Sequence, residues 1–203
     1  MANIHQQLQG FLQDARSNMV IPGMKDRHLL VPEQEAVSAN MLDLFNDINL
    51  PLSLWASHPS SKQFFDGTNV KIGKRAGDGS WKAQPMVTPI GEVYLVLGDG
   101  SSKKNLCSGD DHLINLGDLL DAQVGAREGL TLRKHTQMVM IGIMQRLNFF
   151  IGNSGNLKHI QEFMIIAMMF HDIGKSLGHA LGDKNWQHEL SLPIVDYLGE
   201  SFG

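Results

Sequence analysis

Ile160-Gln161-Glu162-Phe163-Met164-Ile165-Ile166-Ala167-Met168-Met169-Phe170-His171-Asp172-Ile173-Gly174-Lys175 is the stretch on which the reading of this chain turns. Ile160, Met164, Ala167 and His171 follow one another by four, three and four residues, the spacing of one helix face. His171 therefore belongs to an apolar stripe, and Asp172 follows it where the helix should end. A carboxylate entering the apolar end of a helix is costly unless a cation or a metal ion meets it. Upstream, Leu132, His135, Val139, Ile143, Leu147 and Phe150 repeat the pattern, so a second helix also turns an imidazole toward the core. A single core histidine has an ordinary explanation, a neutral ring with one hydrogen bond. Two imidazoles beside a carboxylate form a donor set suited to zinc, iron, manganese or nickel.

The same periodicity organises the C-terminal part of the chain. Helices are expected over 113–122, 131–150, 157–170 and 186–198, with Thr131 and Asn156 as N-caps and glycines 152 and 155 breaking the second from the third. Pro193 removes a backbone donor inside the last helix and predicts a kink. Short connections between successive helices suit an antiparallel bundle. N-terminal to this, apolar spacing predicts a short helix over 4–15 and another from Pro32 toward Ile48. Glycine, proline and serine then punctuate short apolar pieces at 70–72, 81–87 and 92–97, read as two or three strands, and 101–111 reads as a polar surface loop. The expected fold is mainly α. An N-terminal α+β region, residues 1–120, has no role assigned to it, and a helical metal-binding domain occupies 121–203.

Composition narrows the function classes. A hydrophobic fraction of 42 % supports a real core. Seventeen basic residues against 21 acidic ones, a formal charge of −4, provide no field to recruit nucleic acid. Any polyanionic substrate must be gripped locally. The longest purely apolar run, Phe163 to Phe170, is too short for a bilayer, and the first residues are too polar for a secretory signal. Cys107 is the only cysteine, which rules out an intramolecular disulfide and favours a reducing compartment, the cytoplasm. The eleven methionines read as adaptable core packing.

Phe170-His171-Asp172-Ile173-Gly174-Lys175, behind a helical apolar run, resembles the central motif of the HD superfamily of metal-dependent phosphohydrolases and phosphodiesterases. His135, in Arg133-Lys134-His135-Thr136-Gln137-Met138-Val139, fits the upstream histidine of that pattern. The resemblance covers the segment from about Thr131 to Gly203. It implies an HD-type helical bundle in which His135, His171 and Asp172 are metal ligands and Asp172 can bridge to a second ion. It also implies that Lys175 holds a phosphate oxygen. His188, on the next helix, is placed as a substrate contact, general acid or second-metal ligand. His179, in a glycine-bordered stretch read as a loop, and Glu128 are weaker candidates. Histidines 5, 28, 58, 112 and 159 have no partner at ligand spacing and are expected on the surface.

The family's fourth ligand is an aspartate on a later helix. After Asp172 this chain has only Asp183 and Asp196, neither at the family's position, so the bundle is expected to be partial and the chain truncated. The implied cofactor is a divalent transition metal that polarises a phosphoryl oxygen and acidifies a bound water. The resemblance implies a small phosphoester as substrate, nucleotide-like ones included, with Asp172, Lys175 and His188 as the catalytic residues. The competing expectation is a non-catalytic module that binds metal or nucleotide and signals to a partner.

Overall fold

The computed structural model describes residues 31–73, 85–107, 109, 111–124, 130–151 and 158–202. Along the chain, helix α1 (Val31–Asp43) precedes strand β1 (Asn49–Pro51), helix α2 (Ser53–Ser57) and strands β2 (Phe65–Asp66), β3 (Asn69–Ile72), β4 (Met86–Pro89), β5 (Tyr94–Leu97), β6 (Ser102–Asn105) and β7 (Leu113–Asn115). Helices α3 (Leu116–Asp121), α4 (Leu132–Ile151), α5 (Lys158–Phe170), α6 (Lys175–Ala180) and α7 (Gln187–Phe202) follow.

The fold is mixed α+β, with small sheets in the N-terminal half and helices in the C-terminal half, so sheet has a larger share than the mainly-α expectation gave it. Two misreadings account for this. The supposed loop at 101–111 contains β6, whose Ser-Lys-Lys-Asn sequence has no apolar alternation because only the opposite strand, β5, faces the core. The segment expected as one helix over 113–122 is a strand and then a helix, the change coming where Asn115 caps α3 by accepting from Asp118 N at 3.0 Å. The long helices fall where the apolar spacing put them: α4, α5 and α7 each begin within one residue of expectation. Helix α1 stops at Asp43, short of Ile48. The helix expected at 4–15, the Asn156 cap, the glycine break before it, Glu128 and the start of the 81–87 strand lie outside the described residues.

By contact the chain forms two units, residues 1–45, 134–170 and 202 in one and 46–133, 171–201 and 203 in the other. In the first, Val37, Met41, Leu42 and Phe45 of the α1 region are buried, as are Met140 and Met144 of α4 and Ile165 and Met169 of α5. Phe45 meets Phe170 edge-on, ring centroids 5.4 Å apart, and Gln137 Nε2 donates to Glu35 O at 3.0 Å. Four of those eight core residues are methionines, whose unbranched side chains fill the irregular space between helices.

Among the described residues the sheets all lie in the second unit, each antiparallel: β1 with β7, β2-β3-β4, and β5 with β6. Leu97 and Ala122 form a single bridge, and Gln123 N donates to Val96 O at 2.7 Å, which extends the β5 side by one short run of chain. Helices α6 and α7 complete this unit. Trp55 Nε1 donates to Leu190 O at 3.0 Å, and Phe64 stacks on Trp186 with centroids 4.4 Å apart. Gly174 is required where α7 crosses: a Cβ there would lie 2.6 Å from Ser191 N and 2.8 Å from the Leu190 carbonyl carbon. Pro193 is accommodated inside α7 and buried.

Candidate metal centre

The start of α4 is fixed before its histidine arrives. Leu132 N donates to Ala122 O at 2.9 Å, and Arg133 reaches back to Asp121 Oδ1 at 2.6 Å and Asn46 Oδ1 at 2.5 Å. His135 follows within the same helical turn. At the end of α5 the chain makes a tight turn, Lys175 N donating to Asp172 O at 2.8 Å, and enters α6. Gly174 N donates to Ser191 Oγ at 2.8 Å and anchors that turn on α7.

Asp172 is 6 % exposed, and its Oδ2 lies 3.2 Å from His171 Nε2 and 3.4 Å from Lys175 Nζ. One ligand atom from each of His135, His171 and Asp172 lies within 4.8 Å of the other two. Two ligands about 2.1 Å from one tetrahedral ion stand roughly 3.4 Å apart, so the 3.2 Å between His171 Nε2 and Asp172 Oδ2 already matches. The donor chemistry fits as well. An imidazole nitrogen without its proton and a carboxylate are both acceptors, so at 3.2 Å either a proton on His171 Nε2 or a cation lies between them. Borderline divalent metals take this mixed nitrogen and oxygen set.

The other candidates stand apart from this group. His188 is exposed at the start of α7, its Nε2 3.4 Å from Gln187 Nε2. Among the described residues no fourth histidine, cysteine, aspartate or glutamate joins the three. Asp183 is buried and caps the short turn Lys184–Trp186, accepting from Asn185 N at 2.9 Å. Asp196 accepts from His58 Nε2 at 3.0 Å, and His58 Nδ1 lies 2.8 Å from Ser60 Oγ. His58 is therefore no unpartnered surface residue. With Ser60 Oγ donating to Glu189 O at 2.7 Å, this Asp-His-Ser chain clamps the 58–60 turn onto α7 and leaves no nucleophilic hydroxyl. Its His58 and Asp196 are 138 residues apart in sequence, and no local spacing announces the pairing.

His179 departs from its expected place. It lies in helix α6, not in a loop, and α6 escaped notice because Gly178 interrupts its helical composition. The ring is half-buried; burial, first, and the charges of Lys175 and Lys184 hold its pKa below the usual histidine value, against a hydrogen bond to the Val124 backbone.

Searches of protein-family models, curated proteins and solved structures found no match to this chain.

Proposed function

We propose that this chain is an HD-type, metal-dependent phosphohydrolase or phosphodiesterase whose ion is held by His135, His171 and Asp172. The observation that carries the reading is that the adjacent donors His171 and Asp172 and a third, His135, 36 residues upstream, offer ligand atoms within 4.8 Å of one another. Such an ion supplies Lewis acidity toward a phosphoryl oxygen and lowers the pKa of a water it binds. The chain's own residues do the rest. Asp172, buried beside His171 and Lys175, contributes the negative charge that selects a cation. Lys175, half-buried and 3.4 Å from Asp172 Oδ2, is placed to offset charge on phosphoryl oxygens as it develops. Gly174, pinned to Ser191, fixes the angle between the two. His188, exposed and one helix away, remains the general-acid candidate that a bound substrate would have to bring in.

A second reading is favoured by one observation: Asp183 and Asp196, the aspartates left after Asp172, are committed to a cap and to His58. In that reading the site holds its ligand without turning it over, as a regulatory module. Activity separates the two. Protein loaded with Mn²⁺, Fe²⁺, Zn²⁺ or Ni²⁺ is assayed on bis-(p-nitrophenyl) phosphate and p-nitrophenyl phosphate. Metal-dependent release of p-nitrophenol, lost in Asp172→Ala and His171→Ala, supports the enzyme. Metal binding with no turnover of either substrate moves the reading to the module, and failure to bind any of the four ions overturns both.

A further inference from the structure

Lys175 shares one helical turn with Asp172: they are three residues apart, and Lys175 N donates to Asp172 O at 2.8 Å, which closes the turn. Lys175 Nζ lies 3.4 Å from Asp172 Oδ2, the same oxygen that His171 Nε2 approaches to 3.2 Å. The aspartate side chain is 9 % exposed and the lysine side chain 20 %, so both have given up most of their water. A buried carboxylate is costly without a cation beside it, and here the ammonium supplies one. The backbone between the two side chains is fixed as well. Gly174 N donates to Ser191 Oγ at 2.8 Å, and that hydroxyl donates in turn to Gln187 O at 2.6 Å. A Cβ on Gly174 would press on the backbone of Gln187, Leu190 and Ser191. The turn therefore cannot open to part the pair. What freedom remains is in the flexible four-carbon stem of Lys175.

We propose, on the metal-dependent reading above, that Lys175 is a tethered counter-ion: it holds Asp172 in the metal-free protein, and lysine and metal ion are alternative partners of one carboxylate. A divalent ion bound through Asp172 Oδ2 would have a unit positive charge one side-chain contact away. Like charges at that range repel strongly in a part-buried site. Lys175 therefore lowers the affinity of the site for the ion, and in return the carboxylate keeps a partner and the turn keeps its shape when no ion is bound. An ammonium released from Asp172 is available to an anion only after the ion has taken its place, so metal binds before any phosphoester. Lysine suits this exchange better than arginine. Its head is a point charge on a flexible stem, whereas the guanidinium fork would grip the carboxylate with two parallel bonds.

The test uses the full chain and Mn²⁺ as probe, with affinity read by equilibrium dialysis and the melting temperature read in chelator. Lys175→Met keeps an apolar stem and removes the charge, and its soft thioether is no ligand for Mn²⁺. It binds Mn²⁺ at least about tenfold more tightly than wild type, yet melts several degrees lower in chelator. A residue that merely supports the fold would lower both. Lys175→Gln gives the same two signs and replaces Lys175→Met should that variant aggregate. Lys175→Arg, which keeps the charge, binds no more tightly than wild type. In an Asp172→Asn background, Lys175→Met no longer lowers the melting temperature. Lys184→Gln, which removes an exposed lysine whose charge also reaches His179, stays within about threefold of wild type in Mn²⁺ affinity. An equal gain in Lys184→Gln would assign the effect to the general field of the molecule and overturn the pairing. Unchanged or weakened Mn²⁺ binding in Lys175→Met would also overturn it, with the metal reading left standing because wild type still binds. Where neither protein binds Mn²⁺, nor Zn²⁺, Fe²⁺ or Ni²⁺ in its place, the metal reading falls and the counter-ion falls with it.

Discussion

Two consecutive stretches of one chain treat buried polarity in opposite ways. From His171 to Lys175, the buried Asp172 carboxylate is met by an imidazole at 3.2 Å and an ammonium at 3.4 Å. From Ser176 to Ala180, a buried hydroxyl and an imidazole nitrogen have no partner. The first stretch gathers groups that compete for a cation, whereas the second leaves its groups unpaired. A turn and a short helix thus bury polarity in two ways, and the difference lies in whether the buried group has a partner beside it.

The largest effect is expected from Gly174→Ala, because both stretches depend on the turn that Gly174 makes against α7. A methyl group 2.6 Å from Ser191 N cannot be relieved by rotating a side chain, since its obstacles are backbone. The expected cost is about 3 kcal/mol, read from urea unfolding; a loss below about 1 kcal/mol would mean the turn yields and positions neither site.

Next is the metal. His135→Ala, His171→Ala and Asp172→Ala should each weaken Mn²⁺ or Zn²⁺ binding by about 100-fold or more, measured by competition with a chromogenic chelator, since even outer-shell losses cost roughly 10- to 100-fold. Asp196→Ala, which removes only the clamp to His58, should leave affinity unchanged. Equal losses in all four proteins would show that the effect is structural.

A smaller effect sharpens the distinction between a site and a scaffold. With chelator present, Asp172→Asn should unfold within about 1 kcal/mol of wild type, because neutralising a buried carboxylate removes its desolvation cost along with its attraction to Lys175. A sharp drop in the metal-free melting temperature would make Asp172 a structural ion-pair member.

The smallest expected effect concerns His179. Its folded pKa is depressed, chiefly by burial, so the unfolded chain binds more protons than the folded one between that lowered value and about 6.5. Stability from this group is fully present above about pH 6.5 and is lost as pH falls through the folded pKa. Wild type should therefore lose more melting temperature than His179→Gln between pH 7 and pH 5. Parallel curves for the two proteins would place the ring in ordinary solvent.

The metal-binding candidates were legible because helical periodicity is local: His135 and His171 each fall in an apolar stripe that three- and four-residue spacing makes visible, and α4 and α5 formed where those stripes ran. Lys175 was legible from its place beside the histidine-aspartate pair. The sheets were only partly so. Strands of two to four residues carry too little alternation to register, and β6 carries none. Helix α6 is six residues long with a glycine within it, below the length at which periodicity speaks.

By itself the sequence determined which residues can serve as donors and on which helix faces they ride, since side-chain direction in a helix follows from 3.6 residues per turn. The tertiary structure alone decided which donors meet. It spent Asp196 on His58, across 138 residues. It also buried the Ser176 hydroxyl and His179 Nε2 without partners. Each of these rests on contacts between segments remote in the chain, and no local spacing encodes them.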